Sequence, residues 1–331
     1  MMSLSPKQVE ACLDRIALPQ EVRDSLLEGG NGSCALWAVT TLQLYHMAAI
    51  PHDNLDLHYS SHHTVPLEID VIYESIVIRR RGGTCLQVHQ LFSKLLRSLG
   101  FQTYNTVARV NAPASIEADP TLDKPNVTYG PWTHLNTIVR IGKRDYVVDP
   151  SFYQFGSPFP VPLVHDESVG DAWGRSWRMI HSSIPGWTAG DQKWWRMQYR
   201  ESENYPWMDV YCFMETEWLP SDFHILTMGI GVTGIGWFFK GVACFRIILE
   251  EDIPVGYLLI WQDELRRLYK GQTQVLQKFY NENDRVTALA EEFGILLSED
   301  DQRQIAGMTT ELKDESYDFY GYQTPEKPLL L

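Results

Sequence analysis

The chain changes its hydrophobic period at Gly100-Phe101, and that change limits the folds open to it. Up to residue 100, apolar residues recur at three- and four-residue spacing. VEACLDRI and SCALWAVTTLQLYHM show the pattern across residues 6–50, interrupted by the break GGNG at 29–32. In CLQVHQLFSKLLRSLG, residues Cys85, Val88, Phe92, Leu95 and Leu99 share one helical face until Gly100 ends it. From Phe101 the period becomes two. TYNTVARV, LNTIVRIG and DYVVDPSF alternate or run β-branched between turn residues, the pattern of antiparallel strands.

Further along the order is less regular. Residues 112–132 read as loop. Residues 157–207, rich in Pro, Gly and Ser and holding Trp173, Trp177, Trp187, Trp194, Trp195 and Trp207, read as a long irregular insertion. The last part mixes expected strands (DFHILTMGIG, ACFRIILEE, PVGYLLIWQ) with the helical patterns VTALAEEFGI and SEDDQRQIAGM, and a polar tail from about Lys313 is expected at the surface. With 331 residues, 44% of them apolar, a sizeable core and two or three domains are expected.

Charge and cysteine usage remove several function classes. The net charge is −14 and the one basic run is Arg79 to Arg81, so the broad Lys/Arg face of a nucleic-acid binder is missing. No signal-peptide pattern opens the chain and no run of about 18 apolar residues occurs, so a cytoplasmic protein without membrane partners is expected. The five cysteines are far apart and form no CxxC pair, which argues for thiols rather than disulfides or structural zinc.

RRRGGTCLQVHQLF, residues 79–92, sets Cys85 at a helix start behind two glycines. A thiol is an effective nucleophile as thiolate, which a helix N-terminus and a nearby imidazolium favour, and the N–H groups of a first helical turn can hold an oxyanion. Such a thiol needs a histidine whose other ring nitrogen is fixed by an acceptor. THLNTIVRIGKRDYVVDP supplies one: in a hairpin turning about Ile141-Gly142, opposed residue numbers sum to 283, which places His134 opposite Asp149 with Cβ atoms roughly 5 Å apart. Singly, each residue has an ordinary reading, Cys85 as a small buried hydrophobe, His134 as a strand-end polar group and Asp149 before Pro150 as a turn former. Together, the ordered Cys, His and Asp favour a triad.

The segments IPHDNLDLH, IYESIVIRRRGGTCLQVHQLFSKLLRSLGF, VARV, THLNTIV, YVVDPSF and EWLPSDFHIL resemble, in order and character, the arylamine N-acetyltransferases, from about residue 10 to residue 310. The resemblance implies an α+β fold, with which the reading of helices followed by strands agrees. It consists of an N-terminal helical bundle (1–100) carrying the nucleophile, a central antiparallel β-barrel (101–215) carrying His and Asp with an insertion at about 157–207, and a C-terminal α/β lid (216–331), around a Cys-His-Asp core similar to those of papain-like proteases and transglutaminases. It implies Cys85 as acyl acceptor, His134 as base and Asp149 as its orienting partner. The expected reaction is acyl transfer from an acyl-coenzyme A co-substrate, acetyl or malonyl, through a thioester on Cys85 to an aryl amine or hydrazine, with no permanently bound cofactor and no metal. A thiol hydrolase or transamidase of the same superfamily, and a non-catalytic binder of small aromatics, stand as alternatives.

The chain departs from the family pattern at several places. His52-Asp53-Asn54-Leu55 replaces Phe-Glu-Asn-Leu, Gln87 replaces an acidic residue, and Asp149-Pro150-Ser151-Phe152-Tyr153 replaces Asp-Val-Gly-Phe-Gly. By resemblance, Phe152 borders the acceptor pocket, and Tyr153 in place of glycine reshapes it. The resemblance also implies that Arg81 pairs with Asp53, beside Gly82 and Gly83, and the pair is read as structural because a lone buried charge is costly. GIGVTGIG at 229–236 matches a dinucleotide fingerprint, but no βαβ context surrounds it. HYSSHH at 58–63 reads as a solvated loop rather than a metal site.

Overall fold

The computed structural model describes residues 3–116, 127–152, 154–233 and 236–313. The first hundred residues form the helices α1 (Pro6–Arg15), α2 (Gln20–Leu27), α3 (Ala35–Ala49), α4 (Ile69–Tyr73) and α5 (Cys85–Ser98), with the short strand β1 (His52–Asp53) between α3 and α4. Ser5 caps α1, accepting from the Gln8 N–H, with Pro6 at the first helical position. The apolar stripe of α5 works as its spacing predicts. Val88, Phe92, Leu95 and Leu99 pack with Val39, Leu42 and Ile76 and with Val139 and Val148 from the sheet beyond. Full burial of a side chain such as Phe92 contributes about 1.5–3 kcal/mol. Cys85 is also buried, in a neighbouring core with Leu44, Leu86, Val107, Leu135, Phe238 and Phe245.

Two antiparallel sheets follow. The larger has eight strands: β2 (Gln102–Asn111), β3 (Tyr129–Ile141), β4 (Arg144–Val148), β5 (Val161–Pro162), β6 (Ser168–Gly170), β7 (Ser176–Ser182), β8 (Trp194–Arg200) and β9 (Met208–Phe213). Their order is β5-β4-β3-β2-β9-β8-β7-β6, and a bridge from His165, just after β5, to Met179 in β7 brings the two ends together in a nearly closed barrel. Its interior is filled by Ile138, Val147, Phe152, Trp177, Met197, Tyr211 and Phe213. The smaller sheet has the order β1-β10-β11-β12-β13, with β10 (Ala243–Glu250), β11 (Ile253–Trp261), β12 (Glu264–Tyr269) and β13 (Gln272–Lys278). One face of it meets the core that holds Cys85; the other carries Cys244, Leu258 and Ile260 onto Leu289 and Phe293 of α7 (Glu282–Phe293). The short α8 (Glu299–Arg303) follows. No helix among the described residues is long and apolar enough to cross a membrane.

Several expectations are corrected. The β3–β4 hairpin turns at Gly142-Lys143, where Gly142 takes the left-handed φ of +61° that suits glycine. Its pairs, from Ile141 with Arg144 to Thr137 with Val148, therefore sum to 285 rather than 283. DFHILTMGIG is helical, lying within α6 (Pro220–Thr233), not a strand. Its apolar run has no clear period, and tertiary packing decides: Phe223 and Ile230 are buried while Ile225 and Met228 face outwards. Residues 157–207 are not irregular throughout, since β5 to β8 lie there. The expected loop at 112–132 ends in β3, and its residues 117–126 lie outside the described residues, as does the tail from 314. In HYSSHH, His58 is fully buried rather than solvated, 3.0 Å from the Phe238 carbonyl and 2.9 Å from Thr310 Oγ1.

Candidate active site

The loop before α5 is stitched to the edge of the smaller sheet. The Asp53 N–H donates to the Gly83 carbonyl at 3.0 Å and the Gly83 N–H to the Pro51 carbonyl at 3.2 Å. This explains one of the paired glycines. A Cβ on Gly82 would stand 2.2 Å from both the Pro51 carbonyl oxygen and Asp53 Oδ2, so no other residue fits there without displacing backbone. Thr84 then takes the extended conformation of a helix cap. Its N–H donates to Gln87 Oε1 at 2.9 Å, and Gln87 Nε2 donates to Asp56 Oδ2 at 3.0 Å. Cys85 is thereby the first residue of α5, with Sγ 3.7 Å from the carbonyl oxygen of Thr133 in β3.

His134 follows Thr133, and Asp149 follows β4. His134 Nε2 lies 2.7 Å from Asp149 Oδ2, and both side chains are buried. The ring meets Phe152 edge-on at a centroid distance of 4.9 Å and Tyr211 at 5.3 Å, which fixes its plane. Burial opposes a charge on His134, but the charge and hydrogen bond of Asp149, with Cys85 as a further partner, outweigh it and lift the ring to about 10. Burial likewise opposes ionisation of Asp149, and the two flanking histidines overcome it, holding the carboxyl well below the usual carboxylate range.

Cys85, His134 and Asp149 are thus brought together, with Phe152 against the His134 ring. Tyr153 lies outside the described residues. The expected Arg81 and Asp53 pair is not formed. Arg81 Nη1 instead reaches Asp301 Oδ2 of α8 at 3.2 Å, a partner 220 residues away that local pattern could not supply. Asp53 takes the Leu55 N–H on Oδ1 at 3.0 Å, and burial pushes its carboxyl up to about 7.

One residue of the site escaped the sequence reading. His89, one turn beyond Cys85 on α5, is fully buried and places Nε2 3.1 Å from Asp149 Oδ1. A polar ring on the buried side of the helix, four residues after the nucleophile candidate, was its available signal. His89, His134 and Asp149 form the one cluster among the described residues with the donors to hold a metal ion, within 4.8 Å of one another. Both histidine nitrogens already meet the carboxylate at hydrogen-bond distance, which makes the cluster a hydrogen-bonded network rather than a metal centre. A cavity of about 340 Å³ opens beside the helix start, lined by Thr84 and Leu86 on either side of Cys85 and by Val65, Met228, Ile230 and Phe238. GIGVTGIG begins within α6 and does not follow a strand, so a dinucleotide fingerprint has no context here.

Comparison with known proteins gives a consistent result. A profile described as N-acetyltransferase matches residues 35–302. An N-malonyltransferase of Gibberella moniliformis is 31% identical over 286 residues, which cover 83% of this chain and 81% of the relative. Among solved structures, the arylamine N-acetyltransferase of Mycobacterium abscessus has a TM-score of 0.72 at 21% identity, covering 90% of this chain and 93% of that one. The Mycobacterium marinum arylamine N-acetyltransferase, solved in complex with CoA, has a TM-score of 0.68 at 19% identity, covering 89% and 97%. At those identities the two structural likenesses speak for the fold.

Proposed function

This chain belongs to the arylamine N-acetyltransferase family and is an acyltransferase, and from that premise we propose that it transfers an acyl group from coenzyme A to an aryl amine or hydrazine through a thioester on Cys85. The observation that carries the proposal is the 2.7 Å contact of His134 Nε2 with Asp149 Oδ2 in a buried site whose third member is the first residue of a helix. That contact leaves Nδ1 of His134 for Cys85, and the cationic ring is the counter-ion a thiolate requires.

In this reading the Cys85 thiolate attacks the thioester carbonyl of the acyl-coenzyme A. The C–S bond to Cys85 forms, and the tetrahedral oxyanion is held by the N–H groups of the first turn of α5. The C–S bond to the coenzyme then breaks, and its sulfur takes the His134 proton and leaves as the thiol, so that the His134 ring is neutral when the amine arrives. An amine next attacks the acyl-Cys85 carbonyl, His134 accepts the proton that the nitrogen sheds, and the Cys85 thiolate is released. Acyl energy is conserved because one thioester replaces another. The core, on this proposal, is of the Cys-His-Asp kind found in papain-like proteases and transglutaminases, and the division into 1–100, 101–215 and 216–331 assigns the nucleophile, its base pair and the lid to separate parts.

Both acetyl and malonyl groups are candidate donors. The relative matched over 81% of its length is an N-malonyltransferase, which supports testing malonyl-coenzyme A first. The aryl acceptor is assigned to the apolar cavity beside Thr84 and Leu86, bounded by Ile230 and Phe238. The test is the intact mass of the protein after incubation with malonyl- or acetyl-coenzyme A and no amine. An acyl adduct on the peptide carrying Cys85 that is discharged by an aryl amine is expected; no adduct with either donor, while amides are cleaved, sends the function to the hydrolase alternative.

A further inference from the structure

Each oxygen of Asp149 meets a different histidine. Oδ2 is 2.7 Å from His134 Nε2, and Oδ1 is 3.1 Å from His89 Nε2 and 3.2 Å from the Ser151 nitrogen. The two rings are edge to face, with centroids 5.7 Å apart and an interplanar angle of 81°. His89 is held in turn by its other nitrogen. Nδ1 is 2.8 Å from Thr137 Oγ1 on β3, and Thr137 Oγ1 is 2.8 Å from Asn105 Oδ1 on β2. His89, Thr137 and Asn105 are all buried, so the contacts are shielded from competition by water.

A carboxylate held at one oxygen can swing about its Cβ–Cγ bond and carry the bonded imidazole with it; held at both, its plane is fixed. Ser151 holds Oδ1 from the same turn as Asp149, and His89 holds it from the helix that begins with Cys85, so the rigid element that carries the nucleophile also grips the aspartate. The ionisable groups facing His89 are Asp149 and His134 at the hairpin, His46 on α3 and His52 on β1. Burial holds the His89 ring below the ordinary imidazole value despite the pull of Asp149, so it serves as a neutral group. Asp149 is the strongest acceptor it meets, which places the single ring proton on Nε2; Nδ1 is then an acceptor that shares the one proton of the Thr137 hydroxyl with Asn105 Oδ1.

We propose that His89 is a positioning residue for acyl transfer, acting through Asp149 to fix the plane of the His134 ring and its aim at Cys85. This inference rests on the function proposed above. A polar ring packed for stability alone would leave the chemistry of Cys85 unchanged once the protein is folded, and that separates the two roles.

The experiment compares His89→Leu, which keeps bulk without a donor, with His89→Gln, which carries an N–H to similar reach, at temperatures where circular dichroism shows each folded. Two quantities are read: the alkylation rate of Cys85 by iodoacetamide from pH 5 to 9, and kcat and KM with malonyl- and acetyl-coenzyme A. His89→Leu is expected to lose about 10- to 100-fold in kcat and in alkylation at pH 6, with KM within about twofold, the loss typical of a misaimed catalytic group. His89→Gln is expected to recover at least a third of both. Wild-type rates in His89→Leu, or equal losses in the two variants, overturn the inference. If His89→Leu does not fold, Thr137→Val, which removes the hydroxyl behind His89, is expected to lose several-fold with Thr137→Ser restoring it, and an unaffected Thr137→Val overturns the inference. Exposed Cys34 is the internal reference. A wild-type Cys85 no more reactive than Cys34 at pH 6 brings down the proposed function and this inference together, whereas a reactive wild type and an equally reactive His89→Leu bring down the inference alone.

Discussion

His134 and Asp149 stand two positions out of register on neighbouring segments, yet their side chains meet at 2.7 Å. The β3–β4 ladder ends at Thr137 and Val148, and extension of its register would set His134 opposite Ser151. Because the side-chain period of a strand is two, a slip of two residues keeps both groups on the same face as a diagonal pair, within the reach of an imidazole. A slip of one would have turned them to opposite faces.

On the proposed mechanism, replacing Cys85 removes the acyl acceptor. Cys85→Ala is expected to give no acyl adduct with either coenzyme A thioester and to lower N-acyl transfer by at least about 10³-fold, with folding intact because a methyl group fits the buried position of a thiol. Mass spectrometry of the acyl-enzyme and an amine acylation assay read both. Transfer at ordinary rates in this variant would remove Cys85 from the mechanism.

Asp149→Asn keeps the shape of the site and deletes its charge. His134 then loses the partner that lifts it to about 10, while burial continues to press its charged form down. A loss of about 10³- to 10⁴-fold in kcat is expected, the scale seen when the carboxylate of a comparable triad is neutralised. Single-turnover acylation measures it, and a loss below tenfold would show that Asp149 does not hold the His134 cation.

Stability is expected to fall as pH drops from about 6.5 towards 4.5. His46 and His52 are held down to about 3, and His58 to about 4, all three chiefly by burial; His89 is lowered by the same cause. Across this window His46 and His52 stay neutral in the fold and His58 largely so, while the unfolded chain takes up protons below about 6.5; His89 works in the same direction. Asp53, raised to about 7, works the other way, since the fold holds its proton through this window and the unfolded chain largely does not. The three histidines His46, His52 and His58, with His89 in the same direction, favour unfolding against one carboxyl that favours folding. His134, raised to about 10, contributes fully below about 6.5 and is lost only as pH rises through 10, and the depressed Asp149 contributes throughout the window, so neither changes the sign. Urea midpoints at pH 6.5 and 4.5 test this; a higher midpoint at 4.5 would contradict it.

Gly82→Ala is expected to cost about 3 kcal/mol or more, because its Cβ would lie 2.2 Å from a backbone oxygen that cannot move without breaking the link between β1 and the loop before Cys85. Gly142→Ala meets no atom within 4 Å and pays only for its left-handed backbone, about 1 kcal/mol. Urea unfolding of the two variants should separate them clearly.

The chain alone determined what depends on near neighbours. The spacing Cys85, Val88, Phe92, Leu95, Leu99 dictates α5 and its buried face, Gly100 its end, and the alternation in TYNTVARV and LNTIVRIG the strands that carry His134, because these follow from a helix period of 3.6, a strand period of two and the conformational freedom of glycine. Residues far apart in the chain were settled only by the tertiary structure. Arg81 finds Asp301 and not Asp53, and β5 to β8 complete the barrel from a stretch whose turn residues outnumber its periodic ones. DFHILTMGIG becomes a helix because burying Phe223 and Ile230 over the core of Cys85 outweighs a weak local preference. His89 belongs to the same group. Its position on α5 follows from the sequence, but its bond to Asp149 exists only because packing brings the end of β4 against the first turns of that helix, and a burial site for a charge is a property of the whole fold.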